Sequence, residues 1–108
     1  MKNVLMSIVA LGAMSTSLYA SCTKGSCSGK VEKIYMTANG TMYVKVEGNA
    51  STLNCKAPGG VYMSLKEGDA GKNSMYSLLL TAQTTGKRVT VRVEEGSSDC
   101  RVAFVKTL

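Results

Sequence analysis

The sequence predicts a small, mainly β domain with one helix, in which three strands are followed by the helix and then by two further strands. Three observations predict this fold class. Five short segments alternate apolar and polar residues, one segment has its apolar residues at helical spacing, and four cysteines occur in a chain of 108 residues. Because a domain of this size buries little apolar surface, we expect disulfides to stabilise it.

The N-terminus has the three parts of a secretory signal peptide of bacterial type. Lys2 precedes a mostly apolar stretch at residues 4–14, and a polar run leads to a cleavage-site pattern that ends at Ala20. The apolar stretch is shorter than the about 20 residues of a membrane span. We therefore expect a signal peptide over residues 1–20 and a secreted or periplasmic product. Processing as a lipoprotein at Cys22 is the alternative, although Tyr19 stands where a lipobox has an aliphatic residue.

Four cysteines remain in the 88 residues that cleavage after Ala20 would leave. An even number in an exported chain predicts disulfides, and three pairings are possible. We favour Cys55–Cys100, because this bond would join the middle of the chain to the last strand and constrain a long loop of the unfolded state. Cys22 and Cys27 would then close a small N-terminal ring. A zinc site is the rival use, but the sequence has no histidine and no Cys-x-x-Cys spacing, so we expect no metal.

The folded domain is predicted over residues 30–108, after an irregular segment at residues 21–29 that is rich in Ser, Gly and Cys. Its first two strands, residues 31–37 and 41–47, flank Asn39-Gly40, which is a strong hairpin signal. The hairpin register matters because it decides which side chains share a face.

A three-residue loop with Gly40 in the left-handed conformation would pair Thr37 with Thr41 and Tyr35 with Tyr43. A two-residue loop would instead mix polar and apolar side chains on each face. We prefer the first register because it sorts the two faces. The inward side chains are then Ile34, Met36, Met42, Val44 and Val46. The outward side chains are Lys33, Tyr35, Thr37, Thr41, Tyr43 and Lys45.

The remaining elements follow from the same alternation and from one helical stripe. A third strand is predicted at residues 61–66, with Tyr62, Ser64 and Lys66 on the outer side. A helix follows, capped by Asn73 or Ser74 and ended by Gly86, with one apolar stripe formed by Met75, Leu78, Leu79 and Ala82. The last two strands are predicted at residues 88–95 and 100–105.

The order βββαββ is that of a five-stranded OB-fold barrel, and we prefer this architecture. An open α+β sandwich fits the same order of elements. In either case the domain is expected to depend on its disulfides for stability.

The residues that catalysis requires are scarce, so we expect no enzyme and no cofactor. Histidine, the commonest general base, is absent. Glu94 and Glu95 are adjacent on a predicted strand and so point to opposite faces, which makes them unsuitable as an acid/base pair. No glycine-rich phosphate loop is present, and Gly59-Gly60 after Pro58 is interpreted as a turn.

Binding is better supported than catalysis, by the outer face of the predicted hairpin. Tyrosines offer flat apolar surface with a polar tip, and hydroxyls and lysines can hydrogen-bond to a sugar or its carboxylate. OB-folds also bind oligosaccharides on the barrel face. We therefore expect a glycan-binding face made of Lys33, Tyr35, Thr37, Tyr43 and Lys45.

Basic residues outnumber acidic ones in the chain. Loss of Lys2 with the signal peptide leaves twelve against seven, for a net charge of about +5. The bases are dispersed, with no run longer than two, and we interpret them as solvated surface charge. Nucleic acid is not an expected partner, because exported proteins rarely meet it.

The C-terminal half carries a family resemblance. The stretch MYSLLLTAQTTGKRVTV, residues 75–91, followed by Asp99-Cys100-Arg101-Val102, resembles the helix and cysteine-bearing final strand of pertussis-like AB5 toxin binding subunits of the subtilase cytotoxin and typhoid toxin type, and of related exported bacterial proteins. The resemblance extends more faintly from about Gly29 to the end. It implies a secreted OB-fold, a homo-pentameric ring and recognition of sialylated or related cell-surface glycans. A toxin catalytic subunit is a candidate partner, and a stand-alone relative without such a partner is the alternative.

Two functions follow as hypotheses. The first is a non-catalytic, secreted glycan-binding module that resembles a toxin B subunit. The second is a periplasmic structural or protein-interaction domain, an accessory protein or inhibitor, whose hairpin edge pairs with another protein without binding glycan.

Overall fold

The computed structural model describes residues 20–108, which form six strands and one α-helix. Two single turns of 3-10 helix lie at Ala50–Thr52 and Pro58–Gly60. The elements are β1 (Ser21–Cys22), β2 (Ser26–Met36), β3 (Met42–Val46), β4 (Met63–Leu65), α1 (Lys72–Thr85), β5 (Arg88–Val93) and β6 (Val102–Thr107). The predicted mainly β fold with one helix is confirmed. The predicted signal peptide, apart from Ala20, lies outside the described residues.

The strands form an antiparallel sheet in the order β4-β3-β2-β5-β6, with β1 attached to β2. The long β2 is the centre, because its first half pairs with β5 and its second half with β3. The ladder does not close into a barrel. Within residues 20–108, the strand pairing between β4 and the segment that leads into β6 is one isolated parallel bridge, from Ser64 to Arg101.

The segment at residues 21–29, predicted to be irregular, is largely strand, so the expected count of five strands is wrong by one. Cys22 lies opposite Cys27, and their disulfide joins Cα atoms 4.0 Å apart in a tight hairpin. Residues 26–30 then pair along β5. Ser and Gly have low strand propensity, but here the disulfide and the neighbouring strand outweigh that preference.

The predicted register of the β2–β3 hairpin is confirmed. Tyr35 lies opposite Tyr43, and the Thr37 N–H donates to the Thr41 carbonyl at 2.9 Å. Gly40 has a φ of 88°, the left-handed conformation that the three-residue loop requires. The turn therefore fixes which side chains face outward.

The two faces of the hairpin differ from the prediction at three positions. Met42, Val44 and Val46 are buried as expected, but Ile34 is only half-buried and Met36 is 44% exposed. Met36 is the last residue of β2, next to the hairpin turn. Thr41, predicted outward, is buried. The Glu67 side chain lies against the adjoining Gly40, so the β4–α1 loop covers this side of the turn.

A bulge in β2 separates its two halves. Val31 pairs with Val46 and Lys33 with Lys45, so the register shifts at Glu32. An extra residue in one strand reverses the alternation beyond it. For this reason Lys30 and Lys33 are both exposed, although strict alternation would place them on opposite faces.

Strand β4 is shorter than predicted, and Ser64 does not lie on the outer surface. The Ser64 N–H donates to the Cys100 carbonyl at 3.0 Å, and its Oγ donates to the Asp99 carbonyl at 2.8 Å. These two bonds attach β4 to the segment before β6, which is why the Ser64 side chain is only 1% exposed. Burial of a hydroxyl costs little free energy when the hydroxyl has a hydrogen-bond partner.

Helix α1 begins two to three residues earlier than its predicted caps imply. The residue before it, Gly71, has a left-handed φ of 75° and no side-chain cap, so Asn73 and Ser74 lie inside the helix. Gly86 ends the helix as predicted, with its N–H directed to the last turn. Of the predicted apolar stripe, Leu79 and Ala82 are buried, and Met75 and Leu78 are partly buried.

The core lies between the inner faces of the strands and α1. Val89, Val91 and Val93 alternate inward along β5 as predicted. The second disulfide, Cys55–Cys100, joins Cα atoms 5.1 Å apart at one end of this core, and Cys100 is fully buried. The two bonds are the pairs that the sequence favours.

Candidate functional site

Three tyrosines form a cluster on the outer face of β3 and its neighbours. The rings of Tyr35 and Tyr43 stack with centroids 4.8 Å apart and an interplanar angle of 25°. Tyr62 meets Tyr35 edge-on at 5.2 Å and Tyr43 at 6.1 Å. Such ring geometries are favourable beyond the area they bury. We call Tyr35, Tyr43 and Tyr62 the tyrosine cluster.

Tyr62 is the member that sequence reasoning missed. It precedes β4, and Ser64, two residues later, lies opposite Tyr43. The alternation of residues 61–66 already placed Tyr62 outward, but the sequence did not show that β4 would pair with β3 in this register. Consecutive strands are usually neighbours in a sheet. That tendency would have placed β4 beside β3 and could have identified Tyr62 as a member of the cluster.

Tyr35 is the most accessible ring of the cluster, at 44% exposure. Partial desolvation, together with the phenols of Tyr62 and Tyr43, raises the pKa of its hydroxyl above the ordinary value. The phenol therefore stays protonated at neutral pH, where it can both donate and accept a hydrogen bond. An exposed ring with a polar tip suits an amphipathic ligand.

The two predicted lysines of the face have different surroundings. Lys45 is directed to Glu32, the residue at the bulge of β2, and forms an ion pair with it. Lys33 lies opposite Lys45 and is exposed, with no hydrogen bond or ion pair to the rest of residues 20–108. Glu32 thus offsets one of two adjacent positive charges, and Lys33 remains the cation available to a ligand.

Thr37, the fifth predicted residue, is part of the hairpin turn. Its Oγ1 donates to the Asn39 side-chain oxygen and lies 3.3 Å from the Thr41 carbonyl. The hydroxyl hydrogen is therefore engaged within the turn, and only its lone pairs are directed elsewhere. The structure brings Tyr35, Tyr43 and the two lysines together, and places Thr37 at the tip beyond them.

The face is a surface rather than a pocket. A concave region of about 420 Å³ lies elsewhere and is lined by residues of the loop before α1 and of its first turn, within residues 67–74. Its charged groups are already matched, since the buried Lys72 ammonium lies 3.1 Å from the Glu67 carboxylate.

Within residues 20–108, no three His, Cys, Asp or Glu side chains are close enough together to hold a metal ion. No helix in this range is long and apolar enough to cross a membrane. The two disulfides indicate an oxidising compartment, either extracellular or periplasmic.

The chain matches no protein-family model, no curated protein and no solved structure.

Proposed function

We propose that the chain is an exported, non-catalytic module that binds cell-surface oligosaccharide through the tyrosine cluster and Lys33. The observation that carries the proposal is the three-ring cluster on an exposed sheet face, beside Lys33, which forms no ion pair within residues 20–108. Sugar rings have apolar C–H faces that pack on aromatic side chains. Their hydroxyls accept and donate hydrogen bonds at the rim.

The proposed architecture is of the OB-fold type. Strands β2, β3 and β4 form a meander, and β5 and β6 return to the other side of β2. The parallel bridge from Ser64 to Arg101 lies where an OB-fold barrel brings its third and last long strands together. The pairing pattern therefore supports a partly open barrel whose β2–β3–β4 surface carries the tyrosine cluster.

Ring contacts also stabilise a sheet without any ligand, so the test must separate binding from folding. An array of cell-surface oligosaccharides should give at least one hit with the purified protein. Tyr35→Ala should weaken that binding about tenfold, because it removes the exposed stacking surface. Tyr35→Phe keeps the ring and should retain most of the binding. Lys33→Gln should weaken binding to an acidic glycan, whereas Lys56→Gln, a change at an exposed lysine on a separate loop, should not.

Thermal unfolding of each variant provides the control. An unchanged unfolding midpoint with lost binding supports a site, and an equal loss of both indicates that the cluster only stabilises the sheet. An array without hits, or binding that Tyr35→Ala leaves unchanged, would contradict the proposal.

The resemblance to toxin binding subunits further supports a homo-pentamer that delivers a catalytic partner. In this proposal the mature chain begins after signal-peptide cleavage near Ala20. Light scattering combined with mass analysis of the exported, oxidised protein should give five copies per particle and a start at Ser21. A start at Cys22 with an added lipid would instead support the lipoprotein. A strict monomer would contradict the ring and leave the glycan proposal standing.

The second candidate, a protein-interaction domain, has one observation in its favour. Within residues 20–108, the Ile34–Met36 end of β2 pairs with β3 on one side and has no strand on the other. Such an edge can accept a strand from a partner. This function would be favoured if the protein gave no hit on the glycan array but captured a partner in a pull-down. That capture should depend on the exposed edge of β2.

A further inference from the structure

A second surface lies on the outer side of β2, β5 and β6. Residues directly opposite each other in an antiparallel pair have side chains on the same face. Ser28 lies opposite Thr90, and Thr90 lies opposite Lys106. The hydroxyls of Ser28 and Thr90 are 2.8 Å apart, which confirms that they share this face.

The same pairing collects four cations that are scattered in the sequence. Lys30 on β2 lies opposite Arg88 on β5. Lys106 on β6 lies opposite Thr90, which is two residues from Arg92 along β5. The inward positions between them, such as Val89 and Val91, are buried, so the cations stand on the outer side. We call Lys30, Arg88, Arg92 and Lys106 the basic face.

The charge of the basic face is only partly offset by neighbouring carboxylates. Arg92 lies 3.4 Å from Glu95 at the end of β5. The Glu47 carboxylate accepts a hydrogen bond from the backbone N–H of Lys30 at 2.8 Å, and not from the Lys30 ammonium group. The ammonium groups of Lys30 and Lys106 are exposed and form no ion pair with other residues in the range 20–108. The surface therefore attracts anions.

Apolar side chains accompany these cations. Phe104 lies opposite Arg92 and is 48% exposed. Leu108, which is 64% exposed, follows β6 and donates its N–H to the Arg88 carbonyl at 3.0 Å. A soluble sulfated or phosphorylated polymer would gain little from these groups. A bilayer surface offers both phosphate headgroups for the cations and an apolar layer for an aromatic ring.

We propose that the basic face docks the protein on the surface of an anionic phospholipid bilayer. Lys30, Arg88, Arg92 and Lys106 contact headgroup phosphates, and Phe104 inserts at the level of the glycerol and upper acyl chains. The attraction is electrostatic, and dissolved ions limit its range by screening the charges. It therefore weakens at high ionic strength. The tyrosine cluster lies on the β2–β3–β4 part of the sheet, so glycan binding and lipid binding have separate side chains.

The test is sedimentation of the purified protein with vesicles of phosphatidylcholine alone or mixed with phosphatidylglycerol, at low and high ionic strength. The protein should sediment only with the mixed vesicles and be released by salt. Lys106→Glu should lower the partition constant about tenfold or more, because charge reversal replaces an attraction with a repulsion. Lys56→Glu changes the net charge equally at an exposed site outside the basic face and should lower it about twofold or less. Phe104→Ser should weaken binding without changing its salt dependence.

Three results would overturn the assignment. They are the absence of binding to mixed vesicles, equal effects of Lys106→Glu and Lys56→Glu, and retention on dextran sulfate without retention on vesicles. The last would assign the basic face to a polyanionic polysaccharide. None of them bears on the tyrosine cluster, whose variants are measured on the glycan array.

Discussion

Replacing Cys55 and Cys100 together with alanine is expected to lower the free energy of unfolding by about 4 kcal/mol. The bond closes a loop with a sequence separation of 45, and closing a loop of that length removes conformational entropy from the unfolded chain and so raises its free energy by about this much. Small domains are stable by about 5–15 kcal/mol, so the variant should be close to its unfolding threshold. Urea titration at neutral pH, without reductant, measures the difference.

The Cys22–Cys27 bond provides the matched control. Its sequence separation is only 5, so the corresponding double alanine variant should lose about 2 kcal/mol. Alanine is preferred to serine because Cys100 is fully buried and a hydroxyl there would be removed from water. Equal losses for the two pairs would show that the length of the constrained loop does not decide their contributions.

Much of the fold was predictable because its determinants are local. The Asn39-Gly40 turn and the alternation beside it fixed the pairing of Tyr35 with Tyr43. Alternation along β5 identified its inward valines, and Gly86 identified the end of α1. Each of these signals lies within a few residues of the feature it determines.

The parts that were missed depend on distant contacts. The bulge at Glu32 lies close to the point where β2 changes its partner from β5 to β3, and no local pattern shows that exchange of partners. Strand β1 owes its form to a disulfide and to a neighbouring strand. The ladder between β4 and β6 is a single bridge, which element order alone cannot distinguish from a closed barrel.

The same distinction applies to the candidate sites. A hairpin register sufficed to bring Tyr35 beside Tyr43, but Tyr62 joined them only through the β3–β4 pairing. The bases appeared dispersed because Lys30 and Lys106 are far apart in the chain. Only the strand order places them on one surface. Surfaces built from non-consecutive strands therefore need the topology before they can be recognised.

Arg101 links the two ends of this incomplete barrel. Its guanidinium donates to Asp69 at 3.0 Å, in the β4–α1 loop, and to Asp99 at 3.0 Å, in the β5–β6 loop. The side chain is 25% exposed, so solvent screens the pairs only partly. Burial lowers the pKa of Arg101, but the hydrogen bond to Asp99 and the charges of Asp99, Asp69 and Glu94 outweigh it and raise the pKa overall. The guanidinium thus stays charged and bridges two loops.

Arg101→Ala is expected to cost about 2 kcal/mol of unfolding free energy, because it removes the ion pair of the partly buried Asp69 and leaves Asp99 with the exposed Lys66, 3.7 Å away. Arg101→Lys should recover less than half of this loss, since an ammonium cannot reach both carboxylates in the fork geometry of a guanidinium. Urea titration gives the magnitudes, and amide exchange gives the location. The Ser64 amide, which donates to the Cys100 carbonyl beside Arg101, should lose protection before the amides of the β2–β3 hairpin. Uniform loss of protection in Arg101→Ala would show instead that the bridge between β4 and β6 opens only when the whole domain unfolds.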